Sequence, residues 1–589
     1  MKINKGLFLI FFLLIIPISF AEKGHMKLLA VSETDTGYTG KTADLYLDIK
    51  PGTGSVFIAT FPLSKLDTQM STRFAKQIAC NNIDVDCNKY DFFYTIKADS
   101  PIIGGPSAGA AIAILTIARL KDIDIKDDIA ITGTINSGGF IGYVSGLKEK
   151  IDVAAENGIK KVLIPKGEHI LKEGNINLVE YAKKYGIDII EVSELDDAFS
   201  IFTGEKEEEE TEREIEVNED YKKVMKELAE DLCNRSTKYK KNVGYLDEAD
   251  NLTEKGLQSF DKGRYYSAAS FCYSANVVYS KYFLSKKNLT VEEILDKIKY
   301  YHSNINKTEE KLKKIKKETI TDLEAYTIVK ERLINAKDYL TLSQNYLLLG
   351  LIEESVDNLA NAIERTYSAF MWANFFGKGR KEFELDPESL KKICMEKITE
   401  AQERYQYVQI YFPDSLKETD KEISRALEDY ENNEYELCLF KASKAKAEAD
   451  IILNIYGADE EQLSNILEQK LNIVKKSIIR NQDKYFPIVG YSYYEYSQEL
   501  DKYSALIYSE YALELSNLNI YFKKSEGGIS LKLDKGLIWI SLTLVSGIII
   551  GFVIGLIFFK TKKIKKSRYK PKRSSRKPKF AKTSQGKKR

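Results

Sequence analysis

From residue 25 to residue 203, short apolar runs alternate with polar turns at strand spacing, and stretches of helical period interrupt them. Residues 28–32, 43–49 and 55–61 are β-prone, the last two joined by the turn Pro51-Gly52-Thr53-Gly54. Helical periodicity covers 67–79, and a further strand is predicted at 92–97. Gly104-Gly105-Pro106-Ser107-Ala108-Gly109 then opens a helix of small residues over 110–120. Strands follow at 129–135 and 161–164, with a helix over 148–158 between them. The pattern is that of a mixed α/β domain.

Beyond a Glu-rich stretch at 205–216, read as a solvated linker, the texture changes. Residues 217–525 hold little Gly or Pro, and Leu, Tyr, Lys and Glu recur at helical spacing. Leu257-x-x-Phe260-x-x-Gly263-x-Tyr265-x-x-Ala268 and Leu427-x-x-Tyr430-x-x-Asn433-x-Tyr435-x-x-Cys438 share one rhythm, echoed by Ser343-x-x-Tyr346 before Gly350 and Leu351. This resembles the turn between paired helices of tetratricopeptide repeats, but the copies lie much more than 34 residues apart. The expectation is helical hairpins stacked as a solenoid or a bundle, with the many tyrosines as packing residues.

Two apolar stretches set the expected compartment. Lys2 and Lys5 precede an apolar run from Leu7 to Phe20 that closes on Ser19-Phe20-Ala21, the grammar of a secretory signal, with an uncleaved anchor as the alternative. Residues 536–559 are 24 positions without a charge, enough to cross a bilayer, and Lys560, Lys562, Lys563, Lys565 and Lys566 follow at once. That order places a basic tail in the cytoplasm and the body of the chain outside. The predicted organisation is a signal peptide at 1–21, an α/β domain at 22–203, a linker at 204–216, a helical domain at 217–525, one transmembrane helix at 536–559 and a cytoplasmic tail at 560–589. Gly547, Gly551 and Gly555 share one face of the span and would permit close helix contact.

Composition sharpens this picture. The net charge of +1 conceals 16 Lys+Arg and no acid in residues 560–589; excluding these and the two lysines of the leader leaves 70 bases against 87 acids. An acidic body has no electrostatic reason to seek nucleic acid. Three histidines are too few for an imidazole-rich metal site, and G-x-x-x-x-G-K-[ST] does not occur, so neither metal nor nucleotide cofactor is expected. Four sequons (Asn234, Asn251, Asn288, Asn306) and six cysteines suit an oxidising compartment. Cys80 and Cys87 bracket a polar turn that a disulfide would close, with two free thiols as the alternative.

The candidate chemistry lies in 105–150. Ser107 sits at the mouth of a helix, where a serine is most often an N-cap, yet its glycine neighbours leave the backbone open and helix-start amides can hold an oxyanion. Its base would be His169 or a lysine kept neutral by burial. The linked stretches Gly105-Pro106-Ser107-Ala108-Gly109, Thr132-Gly133, Gly146-Leu147-Lys148-Glu149-Lys150 and Gly158 through Pro165 resemble the proteolytic domain of Lon proteases over about residues 27–203.

The resemblance implies an α+β Lon-like fold and a Ser–Lys dyad. Ser107 would be the nucleophile, Lys150 rather than Lys148 the base, and Thr132 the residue beside the dyad. It also implies ring-forming homo-oligomers. The chain departs from the family pattern at Gly104, where Asp usually precedes Gly-Pro-Ser, and at Tyr143, where the family has proline. With no P-loop, the expected activity is ATP-independent hydrolysis of unfolded or exposed protein segments and peptides by a membrane-anchored, extracytoplasmic serine endopeptidase. The rival readings are a catalytically silent Lon-like scaffold whose helical domain binds partner proteins at the cell surface, and a surface-structural or adhesion protein.

Overall fold

The computed structural model describes residues 24–518, except 35–36, 84, 99–103, 172, 205–212, 380–384, 386, 414, 456–457 and 484. An α/β region comes first and a large all-helical region follows. Among the described residues no helix is long and apolar enough to cross a membrane. The two apolar stretches, 1–21 and 536–559, lie outside the described residues, as does the basic tail.

The first sheet is built from β1 (Gly24–Thr34), β2 (Gly37–Pro51), β3 (Val56–Phe61) and β4 (Tyr90–Ala98), in the order β1-β2-β4-β3. The turn predicted between β2 and β3 is present, but the strands it joins are not neighbours in the sheet. Instead β4 enters between them, antiparallel to β2 and parallel to β3. The reason lies in the turn. Gly52 N–H donates to Lys89 O at 2.9 Å and Gly54 N–H to Tyr90 O at 3.0 Å. The Asp91 carboxylate takes Thr53 N–H at 2.8 Å and Ser55 N–H at 3.0 Å. Backbone donors that a hairpin would leave to solvent are thus bound to the start of β4.

Helices α1 (Leu66–Asn82) and α2 (Gly109–Lys121) pack on this sheet around Leu45, Leu47, Phe92 and Tyr94, all at most 1% exposed. Helix α2 is buried from Gly109 to Ala118, as its nearly uninterrupted apolar sequence requires. Its single buried hydroxyl, Thr116 Oγ1, meets Tyr94 Oη at 2.8 Å.

The predicted strand at 129–135 is two strands, β5 (Ile129–Ile131) and β6 (Thr134–Ile135), parted at Thr132-Gly133. The short β7 (Ile141–Gly142) pairs with β6, and α3 (Leu147–Glu156) leads to β8 (Lys161–Pro165). The small ribbon of β9 (Ile170–Leu171) and β10 (Ile176–Asn177) precedes α4 (Leu178–Lys183), β11 (Asp188–Val192) and α5 (Leu195–Thr203). Strands β11, β8 and β5 form a second, parallel sheet.

Twelve helices fill the described part of 219–516. The three sequence turns are the tips of helical hairpins: Asp247–Asp261 with Tyr265–Ser285, Ile320–Leu348 with Ile352–Trp372, and Lys417–Glu431 with Tyr435–Ile455. Each tip needs one left-handed residue, supplied by Gly263 (φ 76°), Gly350 (φ 76°) and Asn433 (φ 60°). All six cysteines are paired: Cys80–Cys87 closes the loop after α1, while Cys233–Cys272 and Cys394–Cys438 each tie two long helices together. Bridges closing loops of that length typically contribute about 2–4 kcal/mol each.

Candidate active site

The site is assembled where the break between β5 and β6 meets the start of α2. Gly105 adopts φ +93°, a conformation that favours glycine, and donates its N–H to Asp67 Oδ2 at 3.1 Å. The following carbonyl, Pro106 O, accepts Gly109 N–H at 3.0 Å and the Ser71 hydroxyl at 3.4 Å. Gly109 has its own reason: a Cβ there would lie 3.0 Å from Ile135 N, so any larger residue pushes α2 off the broken strand. The strand is stitched to the helix start by Gly133 N–H to Ser107 O (3.0 Å) and Ala110 N–H to Gly133 O (3.1 Å).

This arrangement resolves one ambiguity of the sequence. The N-cap of α2 is Ala108, and no side chain caps the helix, so the Ser107 hydroxyl is not used in capping. Of the amides at the helix start, those of Gly109 and Ala110 are bonded, while those of Ser107 and Ala108 bond no other backbone group among the described residues.

Lys150 enters from α3, whose turn begins after Gly146 at φ +68°. It is 2% exposed and donates from Nζ to Thr132 Oγ1 at 2.9 Å. Burial pulls its pKa down to about 8, opposed by the charges of Glu168 and Glu149. Lys148, one turn face away, is paired at the surface with Asp152 at 3.2 Å. His169 bonds Glu191 through Nδ1 at 2.9 Å in a half-exposed loop. The structure therefore brings Lys150 and Thr132 together and ties Ser107 to them through the backbone of Gly133. Ser107 Oγ makes no hydrogen bond to Lys150 in this arrangement; in ligand-free sites such contacts are commonly long.

Several residues around the site gave no sequence signal. Asp67, which holds Gly105, also accepts the Tyr411 hydroxyl from the helical region at 3.4 Å. The loop that joins β6 to β7 is clasped by the same region. Lys470 Nζ donates to Ser137 Oγ at 2.9 Å and pairs with Glu510 at 2.8 Å, and the Ser137 hydroxyl also bonds Glu510. Glu194 accepts Lys476 at 2.7 Å and Asn472 at 3.0 Å. These partners lie over 270 residues apart in sequence, and no local pattern announces them. Asp450, Glu510 and Glu514 bring carboxylate oxygens within 4.8 Å of one another, a cation-like spacing, but Arg404, Lys397, Lys446 and Lys470 supply the positive charge there.

Comparison with known proteins agrees with the geometry. Residues 89–203 match the Lon protease (S16) C-terminal proteolytic domain family. An archaeal Lon protease of Methanocaldococcus jannaschii is 32% identical over 122 residues, covering 21% of this chain and 17% of that protein. The archaeal Lon protease of Pyrococcus abyssi is also 32% identical over 122 residues, covering 21% and 12%. A Lon protease of Mycoplasma mobile is 31% identical over 176 residues, covering 27% and 20%. The chain spans about a fifth or less of the length of these relatives. The motifs and these matches together show that this chain carries a Lon-type proteolytic domain.

Proposed function

We propose that this protein is a membrane-anchored, extracytoplasmic serine endopeptidase that hydrolyses unfolded or exposed protein segments without ATP, using Ser107 and Lys150 as a dyad. The observation that carries the reading is Lys150: a buried amine, hydrogen-bonded to a neutral hydroxyl, whose pKa of about 8 leaves a substantial neutral fraction near physiological pH. Neutral Lys150 takes the proton of Ser107 Oγ as the oxygen attacks the peptide carbonyl. The free amides of Ser107 and Ala108 receive the oxyanion. The protonated lysine then gives its proton to the leaving amine, and water repeats the sequence to release the acyl group. Thr132 orients the amine throughout.

The extracytoplasmic placement is supported by the complete pairing of the six cysteines and by the exposure of all four sequon asparagines. The membrane anchor is supported by residues 536–559 and the lysines that follow. ATP independence is supported by the lack of a P-loop pattern in the 589 residues. Assembly into a homo-oligomer belongs to the same proposal and rests on the resemblance to the Lon proteolytic domain alone.

The test is digestion of unfolded casein by the full-length protein in detergent, with no nucleotide, beside Ser107→Ala and Lys150→Ala. Cleavage by the wild type, lost in both variants, is expected. A folded wild type that cleaves nothing and takes no serine-reactive label would instead favour the scaffold reading.

A further inference from the structure

Next to the nucleophile, the N-terminal domain does not close its own surface. A cavity of about 40 Å³ lies against Pro106, the residue before Ser107, and against Thr134, two residues after Thr132. That volume takes roughly three waters or one small side chain. Ser71, Phe74, Ile135 and Asn136 continue this side, and the other wall comes from the helical region, with Tyr407 and Tyr411 from helix Pro387–Tyr411 and Leu453 and Asn454 from helix Tyr435–Ile455. Tyr143, where the resemblance leads one to expect proline, also lines it.

Two of these residues carry buried polar atoms without a hydrogen-bond partner among the described residues, Tyr143 Oη and Asn454 Oδ1. Natural interiors rarely leave such atoms unpaired, and where they do a ligand or water is the usual explanation. The Asn454 oxygen is not free to turn away, because its Nδ2 is held by Glu510 Oε2 at 3.0 Å. Glu510 is in turn fixed by Lys470 and Ser137. The helical wall is therefore anchored to the same β6–β7 loop that follows Thr132.

We propose that this cavity is a substrate side-chain pocket, that the helical region supplies its selective wall through Tyr407, Leu453 and Asn454, and that it selects a peptide bearing a small apolar residue beside the scissile bond. The inference rests on the proteolytic reading and deepens it. The helical region is then part of the substrate site, not a separate binding module. Asn454 Oδ1 accepts a peptide N–H of the seated segment, and Leu453 sets the depth of the pocket.

The test uses internally quenched peptides in which each of the two residues flanking the cleaved bond is varied through Ala, Val, Leu and Phe. The full-length protein in detergent is compared with Leu453→Ala and Leu453→Phe, and binding of the same peptides is measured on each form carrying Ser107→Ala. The wild type should prefer Ala or Val over Phe by at least tenfold in kcat/KM at one of the two positions. Leu453→Ala should move the preference toward Leu and Phe by about fivefold, Leu453→Phe should sharpen it toward Ala, and binding should move with cleavage. Both variants keeping the wild-type ranking, or weakening all peptides equally, would overturn the pocket. If the wild type cleaves no peptide, the proteolytic reading falls and binding decides: a Leu453-dependent shift in ranking sustains the pocket, whereas an unchanged ranking, or no binding of any peptide, overturns it.

Discussion

Five residues apart in the chain, Thr132 and Ser137 each accept a hydrogen bond from a buried lysine at 2.9 Å, and the two pairs have opposite characters. Lys150 donates to Thr132 with no carboxylate in hydrogen-bond reach among the described residues, and burial lowers its pKa to about 8. Lys470 donates to Ser137 but also pairs with Glu510 at 2.8 Å, both fully buried. Lys397, in the same helical core, shows what such partners do. Burial pulls its pKa down, but Glu400 and Glu514 overcome that and hold it well above the ordinary lysine value. Whether a buried lysine is left ready to lose its proton or held charged as a strut thus depends on whether an acid is built in beside it. The helical core uses buried lysines as struts; the proteolytic domain leaves Lys150 without a paired acid.

Exchanging each lysine for methionine is the sharpest way to break this comparison. Lys150→Met should lower peptide hydrolysis by at least about 10³-fold, which is about 4 kcal/mol of barrier, with an unfolding midpoint in urea that stays or rises because a buried cation is gone. Lys470→Met leaves Glu510 buried without its cation and should cost about 3–5 kcal/mol in the same urea titration. If the two variants exchanged these phenotypes, the assignment of roles would be wrong.

The pH profile sharpens it further. If neutral Lys150 is the base, as proposed, kcat/KM should climb about tenfold per pH unit below pH 8 and level off above it. Stability follows the same group. Its folded pKa lies below its unfolded value of 10.5, so between about 8 and 10.5 the unfolded chain holds more protons and stability rises with pH. Below 8 the folded state carries the full cost of the buried ammonium. A profile flat from pH 6 to 9 in single-turnover cleavage would remove Lys150 from the base role.

Smaller effects test the orienting groups. Thr132→Val keeps the shape and removes the acceptor of Lys150, and should lower kcat about tenfold with KM little changed. Tyr411→Phe removes the long 3.4 Å bond to Asp67 and should change kcat/KM by no more than about twofold, with Gly105 still held by Asp67. A much larger loss there would mean that the helical region positions the nucleophile loop as well as lining the pocket.

Much of this was legible in the chain because it is local. The 3.6-residue and alternating periods marked most helices and strands, and the glycine or asparagine at each hairpin tip is where a left-handed turn needs one. Gly105, Pro106 and Gly109 are tied to Ser107 by short-range backbone geometry, so the motif could be read as a unit. The second lysine of the Leu-Lys-Glu-Lys stretch is buried while the first stays at the surface. What only the tertiary structure decided is long-range. The insertion of β4 between β2 and β3 depends on Asp91 capturing a turn 36 to 38 residues away. The strand parts at Thr132-Gly133, where Gly133 bonds the start of α2 and Thr132 accepts Lys150 from α3. Lys470, Glu510 and Ser137 meet across more than 300 residues. Periodicity reports which face of an element is buried, but not against which partner, and the difference between a lysine base and a lysine strut lies wholly in the partner.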